Sequence, residues 1–318
     1  MAAFRILSLD GGGLMGAFSA SVLATLERTT GHRFVDQFDL ITGTSTGGII
    51  AIGLGMGASA EQILRFYEEK GAAIFPPAKG VGGWLKSLGN LLRPKYSPQA
   101  LRQAIASVVG DQPLKAARTR LAIPAYDASM GRIYVFKTPH HPDRAQDADT
   151  PAVDVALATS AAPTYFPAHA LPAHRGVFID GGLWANCPTM VGIVEAVSFC
   201  GQKLEDVHVL SISTTNYPFS IAEPIQLGGL LNWSRKVIET FMFGQVQGAV
   251  AQATCLLRDR FHRIDYITEP RIYAMDDAKA VQELIVLGRG EAEKIEHRKV
   301  VRERFLNGSP ILSFSSSS

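Results

Sequence analysis

The residues of this chain best suited to covalent chemistry are Gly43-Thr44-Ser45-Thr46-Gly47. A serine with glycines two positions before and after it has the pattern of an acyl-transfer nucleophile, provided that a strand precedes it and a helix follows. The sequence supplies both. Phe38 to Thr42 is a short buried-strand run, and Thr46 to about Met56 is an apolar helical stretch. Gly43 and Gly47 keep side chains out of a tight turn, and the N-terminus of the following helix favours negative charge developing beside Ser45. A glycine-rich turn with an incidental serine is the bland alternative, and it leaves the flanking strand and helix unaccounted for.

Upstream, Asp10-Gly11-Gly12-Gly13 closes a first strand, Phe4 to Leu9, and opens a helix with Phe18, Val22, Leu23 and Leu26 on one face and a stop near Gly31. Successive glycines let the backbone approach a ligand and present N–H groups as an anion nest, which an acyl-transfer site needs for its tetrahedral oxyanion. Gly11, Gly13 and Gly16 also match a dinucleotide fingerprint, but the acidic residue expected at the end of a second strand about 20 residues on is missing. Asp36 and Asp39 precede that strand instead. The Gly-Lys-Ser/Thr of a phosphate-binding P-loop is absent, and a purely structural turn stays open.

A serine hydroxyl needs a base. His208, His262 and His297 lie in the region where a Ser–Asp–His order would put one, but none is framed by turn residues. Asp180-Gly181-Gly182 is better framed. The apolar run Val177 to Ile179 delivers the carboxylate to a strand end, and two glycines open space beside it. An Asx-turn would use the same residues. Aspartate is a poor base at its reference pKa of about 3.9, and burial would raise that value.

Around these motifs the elements alternate as in an α/β fold. Ser59 and Gln62 read as a capping box for a helix to about Lys70, and Ser97-Pro98 starts another that stops at Gly110. Leu121 to Tyr126 and Ile133 to Phe136 read as paired strands, Thr150-Pro151 as the start of a helix, Thr189 to Cys200 as a helix and Val207 to Ser213 as a strand. From Pro224 to about Leu306 the pattern is mostly helical, with a strand over Phe261 to Ile267. Length gives a prior of about two domains. With no linker-like segment, residues 1–318 read as one domain with a cap over 71–96 and a mainly helical part over 220–310. A hydrophobic content of 47% is ample for a core, and 31 basic against 29 acidic residues leave +2, which argues for no nucleic-acid polymer as partner. Cys187, Cys200 and Cys255 lack metal-site or disulfide spacing. The first residues enter a strand at once, without room for a signal peptide, and no apolar run reaches the roughly 18 residues of a membrane span. A cytoplasmic protein with peripheral membrane contact is expected.

The three motifs in this order resemble the patatin-like phospholipases. Ala158-Thr159-Ser160-Ala161-Ala162-Pro163-Thr164-Tyr165-Phe166-Pro167 and Trp184-Ala185-Asn186-Cys187-Pro188 resemble the segments that flank that family's aspartate motif, and the likeness spans Arg5 to Ser213. It implies a three-layer α/β/α sandwich around a mainly parallel sheet, a Ser45–Asp180 dyad without histidine, and an oxyanion hole from Gly11, Gly12 and Gly13. It also implies glycerophospholipid esters as substrate and no cofactor for the chemistry. One departure stands out: the family's usual Arg or Lys in the glycine loop is Met15 here, which opens the way to a neutral ester substrate.

Phe66-Tyr67-Glu68-Glu69, Ile74-Phe75-Pro76 and the run from Tyr134 to His141 are similar to bacterial anti-phage effectors of the family, which cyclic oligonucleotides switch on. That resemblance implies a cyclic di- or oligonucleotide activator, bound at the interface of a homodimer or larger oligomer. Arg235, Lys236, Arg258, Arg260 and Arg263 are candidate phosphate contacts. A constitutive lipase of neutral esters and a non-hydrolytic nucleotide sensor are the competing readings. Residues 80–96, with Trp84, Leu85, Leu88, Leu91 and Leu92 at helical spacing, are expected to face lipid.

Overall fold

The computed structural model describes residues 3–76, 94–216, 236–268 and 273–307. An eight-stranded sheet forms its centre. In chain order the elements are β1 (Phe4–Leu9), α1 (Gly16–Thr30), β2 (Leu40–Gly43), α2 (Thr46–Gly55), α3 (Ala60–Ile74) and α4 (Pro98–Val109). Then come β3 (Arg120–Asp127), β4 (Arg132–Lys137), α5 (Ala152–Thr159), β5 (His169–Leu171), β6 (Gly176–Asp180), α6 (Gly182–Ala185) and α7 (Thr189–Phe199). The described chain continues with β7 (Val207–Ile212), α8 (Lys236–Leu257), β8 (Phe261–Ile264), α9 (Val281–Glu293) and α10 (Ile295–Arg304).

The strands lie in the order β5-β6-β3-β2-β1-β7-β8, with β4 also on β3. From β3 to β8 all neighbours are parallel, while β4, β5 and β6 join antiparallel. Side chains alternate across the strands. Leu7, Leu9, Ile41, Leu210 and Ile212 face a large core under α1 to α5, α9 and α10. Phe4, Ile6, Leu40, Val207 and Val209 face a smaller one closed by Ile193 and Ala196 of α7 and Ala253 and Leu257 of α8. Helices therefore cover both faces, the three-layer α/β/α arrangement expected, with a mainly parallel sheet. Every residue of α2 is buried, which its all-apolar composition requires.

Local signals are realised where they are strong. Ser59 and Gln62 make both bonds of the capping box, and Gly31 ends α1 at φ 74°. Elsewhere the structure corrects the expectation. Thr150 does not cap α5: its hydroxyl pairs with His174 Nε2 at 2.7 Å, and Pro151 holds the cap position without a side-chain bond. Residues 71–74 complete α3 rather than opening a cap, because Gly71 and Ile74 are buried in its packed face. Lys95 and Tyr96 pair with the carbonyls of Thr164 and Tyr165. The expected lipid-facing residues from Trp84 to Leu92, and Arg235, lie outside the described residues.

Candidate active site

The turn between β2 and α2 is strained at Ser45, the candidate nucleophile. Ser45 has φ 54° and ψ −120°, a left-handed conformation that costs a non-glycine residue about 1–3 kcal/mol and tends to mark functional sites. The flanking glycines are obligatory. A Cβ on Gly43 would lie 2.1 Å from the Gly47 carbonyl oxygen, and one on Gly47 would lie 2.2 Å from that of Leu9.

Asp180 reaches Ser45 from the opposite direction. β2 runs parallel to β3 and pairs with it only as far as Ala122; β6 runs antiparallel and ends with Asp180 opposite Ala125. β4 occupies the other edge of β3 throughout, so β2 and β6 share one edge and their C-terminal ends meet head-on at Pro124. A proline suits that gap, because no strand there needs its N–H. The aspartate thus sits at the C-terminal end of its strand, as the sequence suggested, and that strand is antiparallel to β3.

Thr159, at the end of α5, clasps the junction. Its hydroxyl accepts the Ser45 N–H at 3.0 Å and donates to the Pro124 carbonyl at 2.6 Å. The Thr159 carbonyl accepts the Gly181 N–H, and the Ala161 carbonyl accepts that of Asp180. The carboxyl of Asp180 is 6% exposed. Its Oδ1 accepts the Gly182 N–H at 2.7 Å, and the Ser45 side chain stands beside it. Burial pushes its pKa up to about 6, against the opposing pull of Ser45 and the Gly182 N–H.

The histidines are elsewhere. His208 is on β7, and His262 Nε2 contacts His297 Nδ1 at 3.0 Å; none of the three hydrogen-bonds Ser45 or Asp180. Among the described residues no group of three or more His, Cys, Asp or Glu is placed to hold a metal ion.

The glycine loop differs from the expectation at one residue. Gly11 donates its N–H to the Asn186 carbonyl at 2.9 Å, so it has none to offer an oxyanion. Gly12 and Gly13 donate to no partner among the described residues, and neither does Thr46, the first residue of α2, whose N–H has no acceptor within the helix. Gly13 has φ 60°, and a Cβ there would strike the Met275 carbonyl at 2.3 Å. Thr46 was not foreseen as a donor, although its place directly after the nucleophile is a usual one.

Ser45, Thr46 and Gly13 form the polar end of an apolar slot walled by Ile49, Phe66, Ile74, Phe75, Leu101 and Phe166. No charged side chain lines it among the described residues. Such a lining suits an acyl chain and not the pyrophosphate of a dinucleotide. The slot is narrow, about 50 Å³. On the far side of the loop lies a roomier cleft of about 330 Å³ with a mixed lining, Asn186, Thr214 and Asn216 beside Met15, Phe243 and Val246. Met15, where a cation was expected, receives only a Thr215 hydroxyl contact at 3.7 Å.

Two of the arginines read as phosphate contacts are already committed. Arg260 donates to the Val207 carbonyl at 3.0 Å and to the Leu204 carbonyl. Arg263 is buried and paired with Asp10 at 2.7 Å. Both hydrogen-bond the protein's own polar groups.

Residues 7–193 match the family model described as patatin-like phospholipase. Proteins named cGAMP-activated phospholipase are similar to this chain. That of Escherichia coli is 38% identical over 69% of this chain and 64% of its own length. That of Vibrio cholerae is 39% identical over 71% and 68%. The Pseudomonas aeruginosa protein is 32% identical over 93% and 86%. The matched part thus spans a little under two thirds of the Escherichia coli relative and more of the other two. With the family model matching more than half of its residues and relatives of this similarity, this chain belongs to the patatin-like phospholipase family.

Proposed function

We propose that the protein is a serine acyl hydrolase that cleaves carboxylic ester bonds of glycerophospholipids through an acyl-enzyme on Ser45. The observation that carries this reading is that Ser45, in its strained turn at an apolar slot, has the buried Asp180 carboxyl beside it. Asp180 takes the hydroxyl proton as Oγ attacks the ester carbonyl. The N–H groups of Gly12, Gly13 and Thr46 receive the oxyanion. Collapse releases the lysophospholipid alcohol, which carries off the proton held by Asp180. A water molecule, deprotonated by the same carboxylate, then frees the fatty acid from Ser45. No metal or cofactor enters these steps.

The same reading includes control. The names of the three bacterial relatives support activation by a cyclic di- or oligonucleotide, and a slot of about 50 Å³ supports a resting state closed to a long acyl chain. The activator would bind the open state preferentially, in a homo-oligomer at the cytoplasmic surface of a membrane. Phospholipid vesicles, a panel of cyclic nucleotides and product mass spectrometry test it. Fatty acid and lysophospholipid released only with a panel member support the full reading. Full release without any, and no binding by calorimetry, leave a constitutive hydrolase.

A further inference from the structure

A charged network lies beneath the glycine loop that the acyl-transfer steps do not use. Asp10, the residue before the loop, is 3% exposed, and its Oδ2 accepts from Arg263 Nη2 at 2.7 Å. Arg263 comes from β8, two strands away across β7. The same guanidinium donates to Ser211 Oγ at 2.7 Å and to Asp265 Oδ2 at 3.1 Å. One planar group therefore ties together the end of β1, β7 and β8, and its side chain is only 10% exposed. Past Asp10 the chain is held twice more. The Asp10 N–H donates to the Ile212 carbonyl at 3.1 Å, and the Gly11 carbonyl accepts from the Thr214 hydroxyl at 2.8 Å. The loop is thus clamped up to Gly11, and the N–H groups of Gly12 and Gly13 beyond it donate to no partner among the described residues.

We propose that Arg263 is a positioning residue for acyl transfer: by fixing Asp10 it aims the Gly12 and Gly13 amides at the oxyanion, and its charge cancels that of Asp10. Without the guanidinium, a buried carboxylate would stand at the base of the loop where negative charge must develop, and would oppose it. A lysine keeps the charge but lacks the planar fork that serves three acceptors at once. This inference rests on the hydrolase reading.

The test measures kcat and KM on a short soluble ester, and Ser45 labelling by a fluorophosphonate, in the native chain and three variants. Losing one oxyanion donor outright costs about 100- to 1000-fold. Arg263→Lys, which misplaces two donors, is expected to lower kcat by about tenfold with KM within about twofold. Arg263→Met is expected to lower kcat by about 100-fold. Its residual rate falls further as the pH is raised, because burial holds Asp10 above the usual carboxylate range and raising the pH ionises it with no partner to cancel the charge. Adding Asp10→Asn removes that pH dependence and recovers about tenfold.

A folded Arg263→Lys variant with native kcat overturns the inference, as does a loss in Arg263→Met that Asp10→Asn does not relieve. If Arg263→Met fails to fold, the Arg263→Lys result alone decides. A native chain that neither hydrolyses the ester nor takes the label at Ser45 sinks the hydrolase reading and this inference with it. Native activity beside an indifferent Arg263→Lys sinks only the inference.

Discussion

At the scale of single residues, the chemistry rests on one carboxyl group whose burial makes it a better base. An aspartate near its reference pKa of about 3.9 would hold the Ser45 proton poorly. Pushed up to about 6, it is still ionised at neutral pH and better matched to the transfer. The sign of the pH dependence follows. The working base is the ionised form, so kcat/KM on a soluble ester should fall as the pH drops through about 6 and level off above it. Ser45→Ala should abolish turnover in a folded protein. It should also raise the Asp180 pKa further, because the Ser45 side chain lowers it; a carboxyl NMR titration reads that shift, and a fall would contradict the pairing. Asp180→Asn should cost about 100- to 10,000-fold in kcat, with no histidine substitution matching it.

These two residues were legible in the sequence because their signals are local: a serine between glycines, an aspartate before two more. Thr159 and Arg263 were not, because their meaning lies in partners 114 and 253 positions away. Arg263 even read as a ligand contact, since composition cannot distinguish a buried guanidinium from a solvated one.

At the scale of elements, the site depends on two strands meeting end to end along β3. Sequence patterns placed β2 and β6 correctly to within a residue or two, but not the antiparallel sense of β6, and β5, of three residues, passed unseen. A short strand carries too little alternation to read, and the direction of pairing is a tertiary property. The junction makes Thr159 testable. Thr159→Val keeps the shape but leaves the buried Ser45 N–H without an acceptor, at a cost of about 1–3 kcal/mol. Both the denaturation midpoint and kcat should fall. Thr119→Val is the control. Its hydroxyl donates to the Phe38 carbonyl at 2.7 Å, away from the junction, so it should lose stability with kcat little changed. Equal kcat losses in the two variants would mean that general loosening, not the clasp, sets the rate.

At the scale of the whole molecule, the question is how an enzyme with this site is kept from its own membrane. Among the described residues no helix is long and apolar enough to cross a bilayer. With a net charge of +2, bulk electrostatics give little attraction to an anionic surface. On the proposed reading, control acts on the slot. An activator that parts Phe66, Phe75 and Phe166 should raise hydrolysis of long-chain phospholipids far more than that of a short soluble ester, which needs little of the slot. Equal stimulation of both substrates would place the effect on the catalytic groups instead. The α/β class was legible from strand–turn–helix order, because glycine turns between apolar runs punctuate β1, α1, β2 and α2, whereas the three-layer sandwich and its mainly parallel sheet followed from the family resemblance. The state of the slot was not, since it depends on how α3, α4 and the segment around Phe166 close on one another.

The central claim, a Ser45 nucleophile driven by Asp180, is tested most directly by following fluorophosphonate labelling across pH with peptide mass mapping. The account predicts a single adduct on Ser45, a labelling rate that rises through a midpoint near 6, no adduct in Ser45→Ala, and slow labelling in Asp180→Asn. An adduct on another serine, undiminished labelling of Asp180→Asn, or a midpoint that vanishes with His208→Ala or His262→Ala would contradict it.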